Sequence, residues 1–270
     1  MAMLKQTLPS LLLLLLICSC AKSPYHSTNK VYKQQAKTFA NVLKQYPLTD
    51  SVFGNNDFVG TTNFGMRKPN FVIIHHTAQN SCEQTLKTFT TKVSQVSAHY
   101  VICKDGTVHH MLNDYLRANH AGISKWGNTV DLNSASIGIE IDNNGFEKFT
   151  DEQINSLLTL LGNLKKAYNI PTANFIGHSD IAPTRKVDPN IYFPWKTLAQ
   201  KGFGLWQDET LNTKVDSNFN HIQALRIIGY DVKDTSAAIR AFKRHFMQDS
   251  TKKINEADKL TLQNLYKKYM

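Results

Sequence analysis

The sequence predicts an α/β fold: a mixed central β-sheet flanked by helices, with a small three-helix domain at the C-terminal end. Three observations carry this. Short β-branched apolar runs alternate with amphipathic helical stretches, two of those stretches open on capping boxes, and the region after residue 218 breaks into three helical pieces. With 270 residues, 41% of them hydrophobic and 19% charged, the chain can bury a sizeable core in one or two domains.

Each element has its own reason. "FVIIHHTA" from Phe71 is a continuous apolar run that ends in polar residues, as a buried strand does. In "SCEQTLKTFTTKV", Ser81 and Gln84 make a capping box, and Leu86, Phe89 and Val93 keep helical spacing. "HYVICKDGTVHHML" reads as two strands around the hairpin turn Asp105-Gly106. "SASIGIEID" alternates, with Ile137, Ile139 and Ile141 on one face and Ser136, Gly138 and Glu140 on the other. Thr150 and Gln153 cap a helix carrying Ile154, Leu157, Leu158, Leu161 and Leu164 on one side. "TANFIGH" is a further strand. It leads into "GHSDIAPTRKVDP", where Pro183 and Pro189 forbid a continuous helix, so the acids, His178 and Lys186 converge through a loop.

The first residues, "MAMLKQTLPSLLLLLLICSCAKS", place Lys5 before an apolar run that is short of the ~20 residues needed to span a bilayer. That pattern is an export signal, and Ile17-Cys18-Ser19-Cys20 resembles a bacterial lipobox in which Cys20 is lipidated. The expected organisation is a signal peptide at 1–19, a lipidated tether at 20–60 with a weakly helical patch around Val31–Tyr46, a main domain at 61–206, a linker at 207–218 and a small domain at 219–270. A net charge of +10 favours a polyanionic partner, and residues 211–270 alone hold 11 Lys+Arg against 6 Asp+Glu. Export argues against nucleic acid and moves the cell wall to the front. Cys82 and Cys103 are free to pair in an oxidising compartment, but spacing alone does not say whether they do.

The candidate chemistry centres on histidines and acids. His75 and His76 face opposite sides of a strand, so at most one enters a given site. With His178 and an acid, such a histidine makes the His/His/carboxylate set of catalytic zinc sites. Asp188 and Asp180 compete for the carboxylate place, and Asp180 also suits a turn or a helix cap. Glu140 is either a solvated strand residue or a general base near a metal, and Lys186 either a surface lysine or a charge set against an oxyanion.

Five ordered segments together, "FVIIHHTA", "SAHYVICKDGTV", "RANHAGISKWG", "LNSASIGIEIDNNG" and "GHSDIAPTRKVDPNIYFPW", resemble the zinc N-acetylmuramoyl-L-alanine amidases of the AmiD/AmpD type, with the AmiD-like lipoproteins the nearest likeness. The resemblance spans roughly Phe71 to Trp206 and implies the peptidoglycan-recognition, or phage-lysozyme, fold. Carried over residue by residue, it implies one zinc ion per chain on His75, His178 and Asp188, a catalytic Glu140 and an oxyanion-facing Lys186. His99, His120, Trp126 and Asn133 fall at positions that line or brace the substrate groove, whereas His109, His110, His26, His221 and His245 have no implied role. "QALRIIGYDV" and "AIRAFKRHF" resemble a three-helix peptidoglycan-binding module, which in AmiD-like proteins can mainly shape the groove.

The function expected from this is hydrolysis of the amide between N-acetylmuramic acid, or its 1,6-anhydro form, and L-alanine. The partners would be peptidoglycan and muropeptides, with no nucleic acid. The protein would be a monomer anchored through Cys20 to the periplasmic face of the outer membrane. A peptidoglycan-binding lipoprotein without catalysis is the alternative, separated by a metal assay; cleavage elsewhere in the stem peptide is a third reading, separated by product masses.

Overall fold

The computed structural model describes residues 24–44, 61–63, 66, 68–208 and 214–270. The signal peptide, Cys20 and part of the expected linker lie outside the described residues. The chain divides into two compact units, Met1–Phe64 and Gly65–Met270. The first contains helix α1, His26–Val42, which starts and ends earlier than the patch expected around Val31–Tyr46.

The second unit runs β1 (Phe71–His76), α2 (Cys82–Thr90), β2 (Tyr100–Ile102), β3 (Val108–His110), α3 (Leu132–Ala135), β4 (Ser136–Ile141), α4 (Asp151–Tyr168), β5 (Phe175–Gly177), α5 (His178–Ile181), α6 (Trp195–Gln200), α7 (His221–Ile228), α8 (Thr235–Met247) and α9 (Glu256–Tyr269). The sheet order is β3-β2-β4-β1-β5. Its β2-β4-β1-β5 part is parallel, and β3 joins as the antiparallel arm of the Asp105-Gly106 hairpin. The expected mixed sheet flanked by helices is therefore the observed fold.

Two apolar layers hold the sheet. On one face Val72, Ile74, Ile137, Ile139 and Ile141 meet Leu157, Leu161 and Leu164 of α4. On the other, Ile73 and Ile176 share a core with Leu225 and Ile228 of α7, Phe242 and Phe246 of α8, and Leu262 and Leu265 of α9. The C-terminal helices thus bury their apolar stripes against the rest of the unit, which fixes them on the face of β4 that carries Glu140.

The Thr150–Gln153 capping box has both of its hydrogen bonds, at 3.1 and 3.0 Å. Ser81 makes only one: its hydroxyl accepts from Gln84 N, while the Gln84 carboxamide oxygen accepts from Asn80 N instead. Helix α2 also ends before Val93, which is 86% exposed in a short 3₁₀ turn rather than part of the apolar stripe. The Thr90 and Thr91 hydroxyls donate back to Leu86 and Lys87 carbonyls, and such local bonds compete with helix continuation. Cys82 and Cys103 form a disulfide with Cα atoms 5.3 Å apart, tying the start of α2 to the end of β2.

Candidate active site

The C-terminal ends of three adjacent parallel strands bring the site together. His75 on β1 pairs in register with Glu140 on β4, so their side chains leave the sheet on the same face. Ile74 pairs with Gly177, the last residue of β5, and the next residue is His178. The loop then returns Asp188 to the same point, where Ser179 N donates to Asp188 O at 2.7 Å. His76 faces away from the site, and its Nδ1 accepts from Asn190 N at 3.1 Å.

His75 Nδ1 lies 2.9 Å from His178 Nδ1, and the two lie 3.1 and 3.0 Å from Asp188 Oδ2. All three residues are buried, and each offers one donor atom to a common point. Asp180 is absent from this cluster. Its Oδ2 accepts from Gly177 N at 2.7 Å, so it caps α5, the turn role that competed with ligation in the sequence.

Hydrogen bonds behind the cluster determine which ring nitrogens carry protons. A carbonyl only accepts, so the Ser136 hydroxyl donates to Leu132 O and must accept from His120 Nε2 at 3.2 Å. His120 Nδ1 then accepts from His75 Nε2 at 3.0 Å, leaving the lone pair of His75 Nδ1 facing the cluster. His178 Nε2 donates to Ala121 O at 3.1 Å, which leaves its Nδ1 lone pair facing the same point. Burial, reinforced by His178, lowers the His75 pKa to about 4, and burial holds His120 well below its ordinary value, so both rings are neutral. Burial works against the Asp188 charge, so the carboxylate needs positive charge beside it. Two lone pairs and a carboxylate facing one another at 3 Å repel unless a cation sits among them. The donor set, its tautomers and its burial therefore fit a zinc ion.

Glu140 stands beside this cluster with Oε1 3.9 Å from His75 Nδ1. Its Oε2 is buried and has no hydrogen-bond partner, although its side chain as a whole is 12% exposed. Burial, then the Asp188 charge, pushes its pKa up to about 8, while Lys186 pulls it down. Lys186 is half-buried, and its positive charge also lowers the pKa of His75.

The four positions expected to line or brace the groove are all buried. His99 accepts from Gly138 N at its Nδ1 and donates to Leu116 O from its Nε2. Asn133 Oδ1 accepts from the backbone of both His120 and Ala121, fixing the loop that carries His120. Trp126 packs edge-on against Tyr230, 4.9 Å between ring centres. In this arrangement the four brace the site from inside. His120 depends on Gly138, because a Cβ there would fall 2.4 Å from its ring. Gly138→Ala should displace His120 and, through it, His75. The expected loss in zinc affinity is about 10- to 100-fold, measured by competition with a chelating dye.

The C-terminal helices, expected to shape the groove, do so through residues that had no expected role, His245 and Arg244 among them. Asp180, fully buried, accepts from Tyr230 OH at 2.9 Å and pairs with His245 Nδ1 at 2.7 Å. Arg244 donates to Val187 O and Arg240 to Pro183 O, so α8 holds the loop on which Lys186 and Asp188 sit. One signal for this was present: Ala238, Ala241 and His245 form a second stripe on α8 whose small residues allow close approach.

The family profile described as N-acetylmuramoyl-L-alanine amidase matches residues 65–191. The N-acetylmuramoyl-L-alanine amidase AmiD of Escherichia coli is 34% identical over 206 residues, covering 65% of this chain and 74% of that protein. The 1,6-anhydro-N-acetylmuramyl-L-alanine amidase AmpD of Haemophilus influenzae is 39% identical over 103 residues, covering 38% of this chain and 56% of AmpD. Among solved structures, AmiD from E. coli with the substrate anhydro-N-acetylmuramic acid-L-Ala-D-gamma-Glu-L-Lys superposes with a TM-score of 0.68 at 30% identity, covering 78% of this chain and 93% of the other. AmpDh3 from Pseudomonas aeruginosa in complex with anhydromuramic pentapeptide gives 0.69 at 28% identity, covering 83% and 99%.

Proposed function

The chain belongs to the N-acetylmuramoyl-L-alanine amidases of the AmiD/AmpD type, and from that premise we propose that it is a zinc-dependent member that cuts the amide between the lactyl group of (anhydro-)N-acetylmuramic acid and L-alanine during cell-wall turnover. The convergence of His75 Nδ1, His178 Nδ1 and Asp188 Oδ2, with the unpaired Glu140 Oε2 alongside, carries this reading. Bound there, zinc supplies Lewis acidity, lowering the pKa of water toward ~7 and polarising a carbonyl.

The chain's own residues supply the rest. With a bound zinc's charge favouring its ionised form, Glu140 would take the proton of the attacking water at Oε2 and return it to the departing nitrogen of L-alanine. Lys186 offers positive charge to the carbonyl oxygen as it becomes negative. Asn133 and His120 keep His75 oriented, and Asp180 keeps the turn after His178 in place. The substrates crystallised with AmiD and AmpDh3 support anhydro-muramyl peptides as the substrate class. Lipidation at Cys20, a site facing the periplasm from the outer membrane and a monomeric state complete the proposal.

Purified protein should contain one zinc per chain and release L-alanine-terminated peptide from muropeptides. Dipicolinate should abolish turnover and added zinc restore it. Turnover that survives complete metal removal would refute zinc dependence. Peptide products beginning at any other residue would instead place the cut elsewhere in the stem.

A further inference from the structure

Helix α1 is unlike the helices of the catalytic unit: none of its residues is buried. At 100° per residue, Val31, Tyr32, Ala36, Phe39 and Val42, with Leu43 just past its end, fall within an arc of about 140°. Val31, Phe39, Val42 and Leu43 are 58, 53, 55 and 82% exposed. Lys30, Lys33 and Lys37, joined by Lys44 beyond the helix, gather within about 60° on the opposite side. The sequence contains no Asp or Glu before Asp50. The helix is 17 residues long, and no helix among the described residues is long and apolar enough to cross a membrane.

We propose that α1 lies flat in the surface of an anionic lipid bilayer, its Val31–Phe39–Val42–Leu43 stripe among the acyl chains and its lysines at the headgroups. The sequence separates the two requirements onto opposite faces, as surface-bound amphipathic helices do. A lysine-rich face without a single acid is complementary to anionic lipid, and the exposed stripe gains by leaving water. The helix begins six residues after Cys20. An acyl anchor there would present it to the bilayer, but the proposal does not require one. With both, the amidase would be held by two membrane signals instead of one.

The test uses residues 20–270 carrying Cys20→Ser, so that no acyl chain contributes, in co-sedimentation with phosphatidylcholine vesicles containing or lacking 30% phosphatidylglycerol. Binding is expected only to the anionic vesicles, weakening with salt. Each lysine near such a surface contributes about fivefold, so Lys30→Glu, Lys33→Glu and Lys37→Glu together should weaken binding by roughly a hundredfold. Phe39→Ser, Val42→Ser and Leu43→Ser together should weaken it at least tenfold. Both triple variants should hydrolyse soluble muropeptide at the parent rate.

Equal binding by the parent and both variants would overturn the proposal, because the basic C-terminal helices would then be the contact. Loss with the lysines but not with the apolar residues would overturn it too, since mere charge attraction would suffice. So would α1-dependent binding to purified sacculi as tight as to vesicles.

Discussion

Glu140→Gln is expected to lower kcat by ~10²–10⁴-fold, the usual contribution of a positioned acid–base group, while zinc stays bound. The amide has the shape of the carboxyl group but cannot take the proton of the attacking water. Because Glu140 lies beside the three ligand atoms rather than among them, the metal content should be unchanged. The same substitution should raise thermal stability of the metal-free protein at alkaline pH. The carboxyl titrates near 4.5 when unfolded and near 8 when folded, so between these values the folded state holds a proton that the unfolded state has lost. Stability from this group is full below pH 4.5, declines as pH rises and is gone above about 8. The glutamine variant lacks that decline, and at pH 9 its melting temperature should exceed the parent's by roughly 10 °C or more, since a rise from 4.5 to about 8 is worth on the order of 4–5 kcal/mol. Calorimetry on chelated protein across pH 5–9 measures it. Parallel curves for the two proteins would show that Glu140 is not held in a proton-retaining environment, and near-parent turnover would remove it from the mechanism.

Such a residue could be found in the sequence because strand alternation is strict. Once Ile137, Ile139 and Ile141 are assigned to the core, Glu140 must leave the opposite face, and the histidine pair at the end of β1 must send one member to each side. Prolines in "GHSDIAPTRKVDP" broke the helix and left a loop able to return Asp188 to His178. What pattern could not supply was pairing between distant segments. Nothing in "RANHAG" says that His120 fixes the tautomer of His75, because the Ser136 hydroxyl that decides it comes from another element. His109 and His110, adjacent in sequence like His75 and His76, remain ordinary strand residues on β3, since that strand lies at the sheet edge away from the convergent ends. Helix α8 looked like simple amphipathic packing because Ile239, Phe242 and Phe246 account for its apolar face. Its second buried stripe has meaning only when Asp180 is seen beneath it.

That contact supports the other large effect. His245→Ala should destabilise the protein by about 1–3 kcal/mol, as leaving a buried carboxyl short of one hydrogen-bond donor does. Asp180 would lose one of three donors while staying fully buried, and the indole of Trp195, stacked on the His245 ring at 3.9 Å, would face a gap. The effect should not stop at stability. Asp180 caps the helix whose first residue is His178, and Arg244, the neighbour of His245, holds the carbonyl of Val187 just before Asp188. A loosened α8 therefore loosens two of the three donors at once. Zinc affinity should fall about tenfold or more, with kcat falling alongside it. His245→Gln, whose amide can still donate to Asp180, should recover part of both. Measured zinc affinity at a temperature where the variant is fully folded separates this from a packing defect. If His245→Ala melts earlier but binds zinc as the parent does, the C-terminal helices support the fold without positioning the metal loop. If affinity and melting temperature fall together and the glutamine restores both, the bundle forms part of the active site without touching the reacting atoms.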